Sequence, residues 1–290
     1  MKSDALFSEL RGKFHRKLIN AGILSLDADG VASNADRSNV PSRMIAQIVA
    51  TRLGAATATK QKGQSSGARF EEVVREFVEA SFPLLQHLRP GSWSVLRLGN
   101  QSKVKTADFA QYEHLYRLQK AVEKNPDLAA ALGNDYLVSP DVVVVRALYE
   151  DAEINAPRTF VSDDVCLKAD LRKRNGGRPI LHASISAKWT MRSDRSQNSR
   201  TEALNLIRDR KGRLPHVVVV TGEPLPSRLA SLALGTGDID CVYHFALYEL
   251  IDAVREYGKE GREDIIEQLE SMVEGKRLKD ISDLPLDLSC

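Results

Sequence analysis

Cysteine is scarce here and poorly placed for crosslinking. The three, Cys166, Cys241 and Cys290, are odd in number and far apart, which excludes a disulfide framework and points to a reducing compartment. No uninterrupted apolar run approaches the roughly 20 residues needed to span a bilayer, and the opening M-K-S-D-A-L-F-S-E-L lacks an apolar signal core. A soluble, intracellular, cytoplasmic protein with no membrane partner is expected. There is no G-x-S-x-G elbow, and the six histidines show no metal-ligand spacing. His182, Ser184 and Ser186 fall on one strand face, but that alone does not make a serine triad. Internal repeats and low-complexity tracts are also missing.

What is present is enough chain for a large core. With 290 residues, 42% of them hydrophobic, one domain over residues 1–290 is the favoured organisation. The formal net charge of +2 hides an uneven distribution, since residues 188–213 carry eight Lys/Arg against three acids. A local basic surface on a nearly neutral body suits a polyanionic partner such as DNA.

Apolar spacing of three and four predicts helices over Leu6 to Ile19, Met44 to Leu53, Phe70 to Leu88 and Ala107 to Leu132. A strand is predicted at Ser94 to Leu98. The second half alternates, with strands at Leu137 to Arg146, Leu181 to Thr190, His216 to Thr221 and Cys241 to Phe245, and helices at Ser199 to Arg210, Leu247 to Tyr257 and Asp264 to Val273. This pattern predicts an α/β domain around a central mixed sheet.

Two strands carry the chemistry. Pro140-Asp141 opens a run of four valines, and in Leu181 to Thr190 the alternation puts His182, Ser184, Ser186 and Lys188 on one face. If Asp141 reaches the same edge and Glu202 arrives from the following helix, two carboxylates and a lysine surround one point. That set suits a Mg²⁺-dependent phosphodiesterase: Mg²⁺ takes few carboxylate oxygens and keeps waters and substrate phosphate. The chemistry would be in-line attack of water on phosphorus, with Lys188 positioning or deprotonating the water and stabilising charge on phosphate oxygens. Each residue also has a plainer reading. Pro-Asp is common at strand starts, Lys188 could be a solvated edge charge, and Glu202, three after Ser199, could close a capping box.

Directly after this strand come Arg192, Asp194 and Arg195. Arginine can donate two hydrogen bonds to guanine O6 and N7, and aspartate can accept from cytosine N4, so the cluster suits adjacent G·C pairs. Taken alone, R-S-D-R also reads as a capping aspartate between surface arginines.

The wording from Leu181 through His216, together with S-N-A-D-R-S-N at Ser33 to Asn39, G-Q-S-S-G, the Pro140-Asp141 strand, L-G-T-G-D-I-D-C-V-Y-H-F-A-L-Y-E-L and G-K-R-L-K-D-I-S-D-L-P-L-D-L, resembles the CCGG-cutting group of type II restriction endonucleases. The resemblance implies a PD-(D/E)XK nuclease fold, with Asp141 and Glu202 as Mg²⁺ ligands and Lys188 as the catalytic lysine. Ser186 stands where the superfamily usually has an acid, a departure that Glu202 from the helix would make good. Glu71 matches a further acid near the site, although it also reads as a first-turn helix acid.

For recognition, the resemblance gives Arg192, Asp194 and Arg195 the CCGG core and Asp36 and Arg228 the outer pair. Ser38 and Gln64 become supporting contacts, Gln64 in the minor groove. Without it, Asp36 reads as an Asx-turn residue and Arg228 as a helix-surface charge. The implied site is GCCGGC in double-stranded DNA, cut after the first base to leave four-base 5′ overhangs. A homotetramer engaging two DNA sites is implied as well, and Leu247 to Val273 offers helical interface surface. The rivals are a CCGG-binding protein that has lost cleavage and a structure-selective repair nuclease on the same fold.

Overall fold

The computed structural model describes residues 5–57, 63–98, 106–132, 140–191, 193–259 and 261–290, with backbone alone at 63–65, 131, 132 and 193–196. Six strands form one sheet in chain order: β1 Trp93–Arg97, β2 Val142–Arg146, β3 Ile180–Lys188, β4 His216–Thr221, β5 Cys241–His244 and β6 Leu278–Asp280. β1, β2 and β3 pair antiparallel, and β3 through β6 run parallel. The sheet is therefore mixed, as the alternation of segments predicts. Val142 to Val145 and Val217 to Val220 are buried on both faces, which is why these strands read as continuous apolar runs.

The helices are α1 Leu6–Asn20, α2 Val40–Arg52, α3 Gly63–Ser81, α4 Glu113–Val122, α5 Pro126–Leu132, α6 Asp151–Ile154, α7 Ser193–Asp209, α8 Pro226–Ala233, α9 Leu247–Tyr257, α10 Glu263–Glu274 and α11 Leu284–Asp287. Buried side chains from Leu10 to Leu288 join one hydrophobic cluster. No helix of the described residues is long and apolar enough to cross a membrane.

Several boundaries depart from the sequence pattern, each for a local reason. α2 starts four residues before Met44 because Asn39 caps it, accepting from the Ser42 N–H at 2.9 Å, with Pro41 in the first turn. The helix expected over Ala107 to Leu132 is broken into 3₁₀ turns at Thr106–Asp108 and Ala110–Tyr112 followed by α4 and α5, the last restarting at Pro126, which has no N–H to continue a helix. α7 begins at Ser193, so Ser199 lies inside it and Glu202 is no capping-box acid. Residues 137–139 of the strand expected from Leu137 lie outside the described residues; β2 starts at Val142. α8 and the three-residue β6 are too short for periodicity to reveal.

One buried carboxylate ties the parallel edge of the sheet to the helices. The Asp280 side chain is fully buried and accepts from Arg11 Nε at 2.9 Å, Arg11 Nη2 at 3.0 Å, the Ser282 N–H at 3.0 Å and the Leu247 N–H at 3.0 Å. It thereby joins α1, β6 and the start of α9. Burial alone would raise its pKa, but the Arg11 guanidinium outweighs that and the pKa is lowered. A depressed carboxylate pKa contributes stability above the ordinary carboxylate range and loses it as pH falls through the folded value.

Asp280→Asn is therefore expected to lower the unfolding free energy in urea titration by about 3 kcal/mol at neutral pH. The gap from the unsubstituted protein should narrow in acid. Asp252→Asn, which removes an exposed partner of Arg52, is expected to produce no measurable change.

Candidate active site

The antiparallel pairing of β2 and β3 brings the start of one beside the end of the other, with Val142 opposite Ile185. Asp141, just before β2, consequently faces the last residues of β3. Its Oδ2 accepts from the Ala187 N–H at 2.8 Å and from Lys188 Nζ at 2.8 Å. β1 holds the same point from the other side, the Leu98 N–H donating to the Asp141 carbonyl at 3.0 Å.

Glu202 projects from α7 and Glu71 from α3 into the same cleft, about 790 Å³ in volume, which Asp141 and Lys188 also line. Glu71 accepts from Arg97 Nε on β1 at 3.0 Å. The two glutamates hold their protons more tightly than usual. For Glu71 the causes are burial and then the nearby Asp141 charge; for Glu202, burial dominates, and Lys188 only partly offsets it while Asp141 adds to it. Burial works against the Lys188 ammonium, but Asp141 more than compensates and its pKa is raised. Three carboxylates thus crowd around Lys188, with Arg97 meeting only Glu71.

This donor set fits a hard divalent cation. Among the described residues no three His, Cys, Asp or Glu side chains form a ready-made cage. Mg²⁺ is commonly held by one or two carboxylates and completed by waters and substrate phosphate. A cation beside Asp141 and Glu202 would relieve the like-charge crowding. Ser186 shares the Lys188 face of β3, and its buried Oγ has no hydrogen-bond partner among the described residues.

The same cleft is lined by Asp36, Ser38 and Arg228. Asp36 Oδ1 accepts from the Ser38 N–H at 3.0 Å and the Ser38 hydroxyl at 2.7 Å, while Oδ2 pairs with Arg228 Nη2 from α8. The Arg228 bond, and then the Ser38 bonds, pull the Asp36 pKa down to about 2. Asp36 is therefore an Asx-turn residue, as its local sequence predicts, and an ion-pair partner as well. Arg228 is not an ordinary surface charge, since Nη1 also donates to the Met191 carbonyl at 3.1 Å.

Arg192 lies outside the described residues. Gln64 in the first turn of α3, and Asp194 and Arg195 in the first turn of α7, are placed by backbone alone.

Residues that sequence reasoning did not single out also shape this region. Arg97 pairs with Glu71, and Asn34 Nδ2 donates to the Gly222 carbonyl at 2.6 Å. Glu223 is a carboxylate with 1% exposure just beyond β4. The signal for Glu223 was weak: an acid in T-G-E-P-L-P after four valines. Arg97 and Asn34 carry no local signature, because their partners are distant in sequence.

Comparison with known proteins gives the family. The family model described as NgoMIV restriction enzyme matches residues 14–290. The chain is 53% identical over 287 residues to the type II restriction enzyme NgoMIV of Neisseria gonorrhoeae, covering 99% of each. Identity that high over full length carries the fold with it, so the six-stranded mixed sheet and its flanking helices are of the PD-(D/E)XK restriction-endonuclease type. The chain belongs to the NgoMIV restriction enzyme family and is a restriction endonuclease.

Proposed function

We propose that this endonuclease uses Mg²⁺ to hydrolyse double-stranded DNA at palindromes with a CCGG core, specifically GCCGGC, cutting after the first base to leave 5′-phosphate ends and four-base 5′ overhangs. The observation that carries the reading is a single cleft lined by Glu71, Asp141, Lys188 and Glu202 and also by Asp36 and Arg228. A phosphate and a base edge of one DNA could be met there together.

Asp141 and Glu202 would hold the cation, which when bound supplies Lewis-acid stabilisation of charge on the reacting phosphate. Asp141 also fixes the Lys188 ammonium at 2.8 Å, so that Nζ is poised to donate to a phosphate oxygen and to orient the attacking water. Ser186 supplies a buried hydroxyl with no partner among the described residues near the end of the same strand, and Glu71 holds Arg97. No covalent enzyme intermediate is required.

Recognition follows from charge pattern. Across a G·C pair the major groove shows two acceptors on guanine next to a donor on cytosine. Neighbouring Arg228 and Asp36 are the complement of that pattern, guanidinium to guanine and carboxylate to cytosine. Arg192, Asp194 and Arg195 would read the core pairs by the same chemistry, with Ser38 and Gln64 in support. A palindrome calls for two-fold pairing of subunits, and we extend this to a homotetramer of two dimers holding two DNA sites.

Incubating the protein with Mg²⁺ and a plasmid of known sequence, then sequencing the fragment ends, should place every cut within GCCGGC. Cuts at other CCGG palindromes would remove Asp36 and Arg228 from outer-pair reading. Asp141→Ala and Lys188→Ala are expected to lower cleavage by a factor of about 10³ or more while leaving specific binding in gel-shift assays. Arg192→Ala should weaken CCGG binding itself by about tenfold or more. Full cleavage by Asp141→Ala would take that residue out of the metal site. Light scattering should give four chains per particle, and plasmids with two sites should be cut faster than plasmids with one. A dimer that cuts both equally would exclude the tetramer.

A further inference from the structure

Met191 is the residue from which the chain enters the Arg192–Arg195 segment, and it is held on both sides. Its N–H donates to Glu223 Oε2 at 3.0 Å, and its carbonyl accepts from Arg228 Nη1 at 3.1 Å. Glu223 Oε2 lies 3.8 Å from that same Nη1, and Oε1 accepts from the Leu225 N–H at 3.2 Å, just ahead of α8.

The network continues back to the active site. The Glu223 N–H donates to Thr221 Oγ1 at 3.1 Å, and the Thr221 hydroxyl donates to the Lys188 carbonyl at 2.9 Å. The Gly222 N–H reaches the same carbonyl at 3.1 Å. The Gly222 carbonyl accepts from Asn34, two residues before Asp36, at 2.6 Å. The end of β4 and the residues just after it thus touch the catalytic strand, the entry to the core-reading helix, Arg228, and, through Asn34, the loop that carries Asp36.

A carboxylate with 1% exposure is costly unless its bonds are needed. Glu223 is neither a metal ligand candidate nor a base reader. What it does reach is the guanidinium that must be presented to DNA. Arginine has a long, rotatable side chain, and when Asp36 turns to a cytosine, Arg228 loses its strongest partner. Glu223 and the Met191 carbonyl would keep Nη1 anchored and leave the Nε–Nη2 edge facing a guanine.

We infer that Glu223 is a positioning residue for sequence specificity, holding Arg228 and Met191 so that the outer base pair is read in register with the catalytic strand. This rests on the reading of Asp36 and Arg228 as the outer-pair readers. Two charged side chains face Glu223, Arg228 from α8 and Asp36 from the loop before α2. Burial raises the Glu223 pKa to about 7, with the Met191 N–H, Arg228 and the Leu225 N–H pulling the other way. Asp36 titrates far lower, and arginine stays charged throughout.

The test compares kcat/KM on a duplex carrying the mapped site with kcat/KM on one whose outer G·C pairs are changed to A·T. Glu223→Gln keeps an acceptor oxygen for one of the two backbone N–H groups, Met191 or Leu225, and loses both the other acceptor and the charge beside Arg228. It should cut the ratio about tenfold or more, while the requirement for the CCGG core persists. A ratio equal to that of the unsubstituted protein would overturn the proposal.

A second arm needs no variant. Groups that act equally on both duplexes cancel in the ratio, so the unsubstituted protein should lose outer-pair selectivity as pH falls through about 7 and Glu223 takes up a proton. In Glu223→Gln the ratio should be low and flat. A constant ratio for the unsubstituted protein between about pH 6 and about pH 8.5 would overturn the proposal even if the variant did not fold. Arg228→Ala, measured alongside, separates the two levels. If it keeps the original ratio, the outer-pair reading of Arg228 fails. If it loses selectivity while Glu223→Gln keeps it, only the role of Glu223 fails.

Discussion

The register between β2 and β3 is the constraint on which the site depends. Asp141 meets the Ala187 N–H and Lys188 Nζ, each at 2.8 Å, because Val142 lies opposite Ile185. Side chains alternate with a period of two, so a slip of one residue would turn Lys188 to the other face and carry the carboxylate away from it. What resists the slip is apolar burial. The valines of β2 and the core face of β3 have no solvent-facing alternative, and β1 and β4 flank them on either side. The polar cluster at the end of the strands is thereby positioned by the hydrophobic interior behind it.

At that edge the structure concentrates charge that the protein alone does not neutralise. Asp141, Glu71 and Glu202 surround Lys188, only Glu71 has a second cation in Arg97, and the two glutamates bind protons more tightly than exposed acids do. Such a site is poor as a stabilising element and well suited to receiving a cation and a phosphate. The Asp36–Arg228 pair has the opposite character, internally matched and held by Ser38, Met191 and Glu223. In the proposed outer-pair reading, the pair would exchange its internal bond for contacts with a base pair of complementary pattern, and the cost of parting the charges would be offset by the bonds that replace them.

Much of the architecture was legible in local pattern. Runs of valine gave β2 and β4, and apolar periodicity gave α1, α9 and α10, whereas the start of α2 at its Asn39 cap, four residues before Met44, was not read. Errors fell where periodicity says little: the short α8 and β6, the interrupted stretch before Leu132, and the first turns of α7. Those first turns are polar, S-D-R-S-Q-N, and helical structure there leaves no apolar stripe to read.

By itself, then, the sequence determined the alternation of strands and helices, the order in which Asp141, Lys188 and Glu202 occur, and the resemblance that family membership bears out. These are properties of neighbouring residues or of shared wording, and need no knowledge of what lies across the sheet. Tertiary structure alone decided that Asp36 meets Arg228, 192 positions away, that Glu71 meets Arg97, and that Glu223 reaches Met191 from beyond the next strand. Those meetings arise because parallel and antiparallel pairing brings strand ends to one edge, and a chain's pairing partners are selected by the burial of the whole core rather than by any residue's immediate neighbours.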